Sequence, residues 1–148
     1  NNTIQHSYSK EFVFLEDYAF LINLLNDLSD KTMNFKYKDL ARKICNEAIL
    51  KFYIDEKDIF QKNQKINNDI FFKPIDISDN TIPNGNSLML INLVRLGMME
   101  QAKKLAKSLN GYLNIYKSHM MTAVRALDFF NNINSGKNCN EQGCKIDV

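Results

Sequence analysis

The chain has 148 residues, 45% hydrophobic and 24% charged, which is the length and composition of one ordinary globular domain. A net charge of +2, with scattered lysines and no basic face interleaved with aromatics, argues against nucleic acid as a partner. No apolar run reaches the roughly 20 residues of a membrane span, no signal-peptide pattern is present, and an odd count of three cysteines points to a reducing cytoplasm.

Residues 1–13 read as an irregular lead containing His6, Tyr8 and Phe12, and the abrupt Asn1-Asn2-Thr3-Ile4 start is expected of a piece of a longer chain. A first helix is expected from about Leu15 to Leu28, because Tyr18, Leu21, Ile22, Leu25 and Leu28 recur at helical spacing. Phe14, Phe20 and Leu24 add a second apolar side, so this helix is expected to be well buried, and Glu16 and Asp17 fall in its first turn, where carboxylates suit the helix dipole. A second, amphipathic helix is expected from Tyr37 to Tyr53, with Leu40, Ala41, Ile44, Ala48 and Phe52 inward. Cys45 sits in that pattern and reads as packing rather than as a nucleophile.

From Asp55 to Asp79 the period breaks. Ile59-Phe60 and Ile70-Phe71-Phe72 flank a polar centre, which suggests a β-hairpin or long loop ended by Pro74. Beyond a turn at Pro83, a third helix runs from about Ser87 to Leu96, apolar on nearly every side and therefore expected between two layers. Gly97 breaks it. A fourth helix is expected from Met99 to Leu109, stopped by Asn110-Gly111, with a short helical turn at 112–116. The fifth covers roughly Ser118 to Asn131, with Met121, Val124, Leu127 and Phe130, or residues next to them, inward. The organisation expected is one all-α domain over residues 1–131 and a flexible polar tail, 132–148, holding Cys139 and Cys144.

The stretch that organises the chain is Ile82-Pro83-Asn84-Gly85-Asn86-Ser87. Proline fixes φ and lacks a donor, as a helix start tolerates. Asn84, Asn86 and Ser87 can each accept from the unpaired N–H groups of the first turn. Such a stretch either caps the helix alone or also forms the mouth of a pocket.

His6, Glu16, Asp17 and Asp79 are the candidates for acid–base work, since a histidine oriented by a carboxylate exchanges protons near neutral pH. The alternative is structural: His6 and Asp17 bond to each other across a rim, and Glu16 and Asp17 cap a helix. Cys139-x4-Cys144 is a weak metal pattern, since structural zinc takes four ligands and His119 lies far off in sequence. No phosphate loop, zinc-protease helix or nucleophile elbow is present, so neither a cofactor nor a metal is expected.

His6-Ser7 with Phe14-Leu15-Glu16-Asp17-Tyr18-Ala19-Phe20-Leu21 resembles the "HS … FLEDYAFL" signature of the thioredoxin-domain-containing, spermatogenesis-associated protein family. Lys73-Pro74 to Asp79 and Ile82 to Ser87 resemble its "RPKDIYDGAIPSGNS", and Arg125-Ala126-Leu127-Asp128-Phe129 resembles a later "SALDF". The likeness is collinear over about residues 5–130, and Cys139 and Cys144 repeat a C-x4-C near the family's C-terminus. Asn84 stands where the family usually has serine, and Ser78-Asp79-Asn80 where Tyr-Asp-Gly is usual, so a tyrosine that could line a pocket is absent.

The resemblance implies a thioredoxin-like domain, not contained in this chain, followed by an (α/α) toroid similar to N-acylglucosamine 2-epimerases and six-hairpin glycosidases. This chain would then be a partial toroid of helical hairpins with one β-hairpin or long loop inserted. The function expected is a sugar-binding or sugar-modifying pocket, with His6, Asp17 and Asp79 catalytic and Glu16, Tyr18, Asn84, Asn86 and Ser87 holding the substrate. The rival expectations are a non-catalytic module that pairs through the helix faces a half-toroid leaves uncovered, forming a homo-oligomer, and a remnant without activity.

Overall fold

Ten consecutive residues, Gly85 to Val94, are buried on every side, and three of the other four helices pack around them. The computed structural model describes residues 4, 6, 13–64, 74–136, 139–140 and 143–144. Five α-helices dominate it: α1 (Leu15–Thr32), α2 (Phe35–Phe52), α3 (Gly85–Arg95), α4 (Met99–Tyr116) and α5 (Met121–Asn134). Two small antiparallel hairpins accompany them, β1 (Tyr53–Ile54) with β2 (Ile59–Phe60), and β3 (Cys139–Asn140) with β4 (Gly143–Cys144). No helix among the described residues is long and apolar enough to cross a membrane.

α1 and α2 form a helical hairpin. Met33, in the left-handed region at φ 55°, ends α1, and the Asn34 side chain then accepts from Lys36 N–H to start α2. Ala41, Ile44, Cys45, Ala48 and Phe52 bury one stripe of α2, and the Tyr18 and Phe52 rings meet edge to face at 5.4 Å. α1, α4 and α5 each pack on α3. Two polar clamps fix α1 there. Buried Asn92 donates to the Ala19 carbonyl at 2.8 Å, and Arg95 reaches Asp27 at 2.8 Å and Asp30 at 2.7 Å.

Several sequence expectations are corrected. Ile59-Phe60 pairs with Tyr53–Ile54, in the register Tyr53↔Phe60 and Ile54↔Ile59, and the expected second arm, Ile70-Phe71-Phe72, lies outside the described residues. Tyr53 is therefore strand, not the end of α2. α4 passes through Asn110-Gly111 without stopping. A helical glycine costs about 1 kcal/mol, and the packing of Tyr112 and Leu113 against the core outweighs that cost. Phe20, Leu24 and Leu40 are exposed, so α1 and α2 each bury a single face. In α5 the buried set is Ala123, Ala126 and Phe130, while Met121 and Val124 face solvent. Small alanines let α5 lie close on α3, and that turns the larger Met121 and Val124 outward. α5 also continues to Asn134, past the expected boundary at 131, and Cys139 lies opposite Cys144 in the β3–β4 register.

Candidate functional site

The turn before α3 binds three parts of the chain together. Asn84 caps the helix by accepting from Ser87 N–H at 2.9 Å, and its amide donates to the Ile77 carbonyl and to Asp79 Oδ1. Asp79 is fully engaged: Oδ1 also accepts from Asn84 N–H, and Oδ2 accepts from Thr122 N–H at 2.6 Å. Met120, the N-cap of α5, supplies no side-chain cap, so Asp79 satisfies that helix start from a distant loop. Asn86 is fully buried and acts like an added strand. It accepts from Phe60 N–H at 3.0 Å, donates to the Phe60 carbonyl at 2.9 Å, and also donates to the Asp76 carbonyl at 3.0 Å. Gly85 is required for contact: a Cβ there would lie 2.9 Å from Leu15 Cγ and Cδ2, so glycine lets the first turns of α1 and α3 touch.

The start of α1 is tied to the segment after β2. Leu15 N–H donates to the Lys62 carbonyl, Phe14 bridges Asn63, and Lys62 N–H donates to the Pro74 carbonyl. Phe14 has no side-chain acceptor, so Asp17 does the capping, with Oδ2 accepting from Phe14 N–H at 2.9 Å. Its other oxygen lies 2.9 Å from His6 Nδ1. A carboxylate oxygen accepts, so in this contact Nδ1 is the donor and Nε2 is left for another partner. Phe14 holds the same ring edge to face at 4.9 Å.

These groups open onto a cavity of about 330 Å³ at the start of α1. His6, Glu16, Asp17 and Asn84 all line it, and Phe14, Lys62, Asp76, Ser78, Asn80, Ile82 and Pro83 complete the wall. Lys62 and Asp76 pair at 3.2 Å. Glu16 has no such partner among the described residues. Its Oε2 is sealed from solvent with no hydrogen bond from a described residue, and burial, the largest effect, raises its carboxyl above the ordinary 4.5. The backbone at Glu16 and the Lys62 ammonium pull the value down, and Asp76 and Asp17 push it up.

Four sequence-derived site residues, His6, Glu16, Asp17 and Asn84, therefore share one cavity. Tyr18, Asp79, Asn86 and Ser87 are not among its lining residues. Tyr18 is fully buried, and its hydroxyl donates to Glu47 and accepts from Lys51, both at 2.7 Å, on the α2 side of α1. Ser87 is buried, and its hydroxyl has no hydrogen-bond partner among the described residues. Asp79 and Asn86 hold the wall in place from behind. Lys62, Asp76 and Asn80 were not anticipated; each lies in irregular sequence, where no period marks a face. Among the described residues no group of three His, Cys, Asp or Glu side chains could hold a metal ion. No sequence profile of a known protein family matches the chain, and no curated protein matches it.

Proposed function

We propose that the chain is part of an (α/α) toroid related to sugar epimerases and six-hairpin glycosidases, and that the cavity at the start of α1 binds a monosaccharide and moves protons on it. The observation that carries this reading is the His6–Asp17 pair on the wall of a 330 Å³ cavity, beside a carboxyl that burial keeps protonated to higher pH. That volume lies at the lower end of small-molecule sites and suits one sugar ring. Asp17 orients His6 and stabilises the imidazolium formed when Nε2 takes a proton. Glu16 supplies an acid from the same wall. Ser78, Asn80 and Lys62 offer partners to hydroxyl groups, and Ile82 and Pro83 offer an apolar surface to a C–H face. Asp79 acts through position, by holding Asn84.

A thermal-shift screen against monosaccharides, disaccharides and sugar phosphates tests this. One neutral sugar class is expected to stabilise the chain, and His6→Ala and Asp17→Asn are expected to abolish the shift. A chain that melts cooperatively and responds to none of them contradicts the reading.

A second reading, a self-associating interaction module, is favoured by the exposure of Phe20 and Leu24 on α1 and of Met121 and Val124 on α5. It predicts a homo-oligomer by light scattering, and a monomer at high concentration contradicts it. We assign the chain to the cytoplasm on its odd cysteine count and on Cys45, which is a free, buried thiol.

A further inference from the structure

A second concavity, remote in sequence from the first, lies between α4 and α5 beside the loop of the β1–β2 hairpin. Its volume is about 630 Å³. Lys103, Lys104 and Lys107 of α4 line it, with Asn110 one turn further on and Asn131 facing from α5. Its floor is apolar, formed by buried Ala106 and Phe130 and half-buried Leu127.

The charges there do not balance. Lys103 and Lys107 are four residues apart and Lys104 and Lys107 three apart, so their ammonium groups share one face of a helix and repel. None of the three forms an ion pair with another described residue. Two carboxylates border the cavity. Asp58 accepts from the Tyr53 hydroxyl at 3.1 Å, a bond to a neutral donor that leaves its charge in place, so with Glu100, at the start of α4, two carboxylates stand against three lysines. The excess is one positive charge, gathered on the lysine face of α4, and an anion seated among the three ammonium groups offsets it and relieves their mutual repulsion. The asparagine amides can bond to polar groups of its organic part, and the floor can cover a ring.

We propose that the α4–α5 cavity binds a small phosphomonoester, with the phosphate on Lys103, Lys104 and Lys107 and its organic part over Leu127 and Phe130. Each lysine meets the phosphate as a point charge rather than through a bidentate fork. The site is therefore tuned to charge and concavity more than to one ring chemistry. It is independent of the sugar cavity, and it accounts in advance for any stabilisation by sugar phosphates that survives His6→Ala.

Isothermal titration of the whole chain tests the proposal, using glucose 6-phosphate and adenosine monophosphate, with glucose, adenosine, inorganic phosphate and sulfate as controls. Both phosphomonoesters are expected to bind, more weakly as salt rises, and glucose and adenosine are expected not to bind at this site. Replacing Lys103→Gln and Lys107→Gln together is expected to weaken phosphomonoester binding about tenfold, the scale of two partly exposed charge contacts. Lys36→Gln, on the exposed start of α2, is expected to change nothing. All three substitutions are on exposed side chains, and a thermal melt of each variant checks that it folds. No binding, equal binding of sulfate and phosphomonoesters, or unchanged binding by the Lys103/Lys107 double variant each overturns the proposal. Binding only to phosphatidate vesicles, with none to the soluble esters, overturns it in favour of a lipid surface.

Discussion

Asn86→Ala tests the role of the α3 turn as the anchor of the fold. The side chain is fully buried and makes three hydrogen bonds, two to Phe60 and one to the Asp76 carbonyl. Alanine leaves the buried Phe60 N–H and C=O without partners, at about 1–3 kcal/mol each, and removes a bond worth about 0.5–1.5 kcal/mol at Asp76. The expected loss is about 3–7 kcal/mol, a large part of the roughly 5–15 kcal/mol that holds a domain together. Urea unfolding followed by far-UV circular dichroism measures it, with Asn114→Ala on the exposed face of α4 as a near-neutral control. The damage is expected to be local as well: β2 and the cavity wall at Asp76 share this one side chain, so faster amide exchange should appear at Phe60 before it appears in α4. A loss below about 1 kcal/mol, within the range of an ordinary hydrogen bond, refutes the argument that this turn holds β2 and the Asp76 loop in place.

Three further outcomes follow from single contacts. Gly85→Ala brings a Cβ to 2.9 Å from Leu15 Cγ and is expected to cost about 1–3 kcal/mol by overpacking; a Leu15→Ala background should relieve that clash in a double-mutant cycle. Glu16 holds its proton more tightly when folded, so its contribution is present below its ordinary 4.5 and is lost as pH rises through the folded value. Urea midpoints measured across pH should therefore shift in favour of Glu16→Gln relative to the parent chain as pH increases, and a constant difference counts against a raised value. Burial pushes the Cys45 thiol up to about 12, so peptide mapping after native alkylation at pH 8 is expected to find Cys45 unmodified; rapid labelling would mean that the α1–α2 interface opens readily.

Helix existence was legible in the sequence because apolar spacing reports a buried face directly. The spacing of Ile22 and Leu25, and of Ala41, Ile44 and Ala48, marks the observed interfaces. It misled where two stripes competed. In α5 the larger residues Met121 and Val124 suggested the inner face, yet close approach to α3 selected Ala123 and Ala126. In α4, local stop signals at Asn110-Gly111 yielded to packing beyond them. The candidate site was half legible. His6 and Asp17 could be named because a histidine beside a carboxylate can form an oriented pair, although the same carboxylate also caps α1, and their 2.9 Å contact joins residues eleven apart. Lys62 and Asp76 could not, because their placement depends on how an irregular segment folds over the start of α1. Asp79 and Asn86 are polar residues in a turn, and only their partners Thr122 and Phe60 separate holding a wall from touching a ligand.

The measurement that bears most directly on the proposed function is an amide ¹H–¹⁵N correlation titration of the whole chain with the sugar that gives the largest thermal shift. The account predicts saturable shifts at Phe14 to Asp17, Lys62 and Ser78 to Asn84, all lost in His6→Ala, with α4 undisturbed. Shifts confined to the α4–α5 cavity, or none at saturating sugar, would contradict a sugar site at the start of α1.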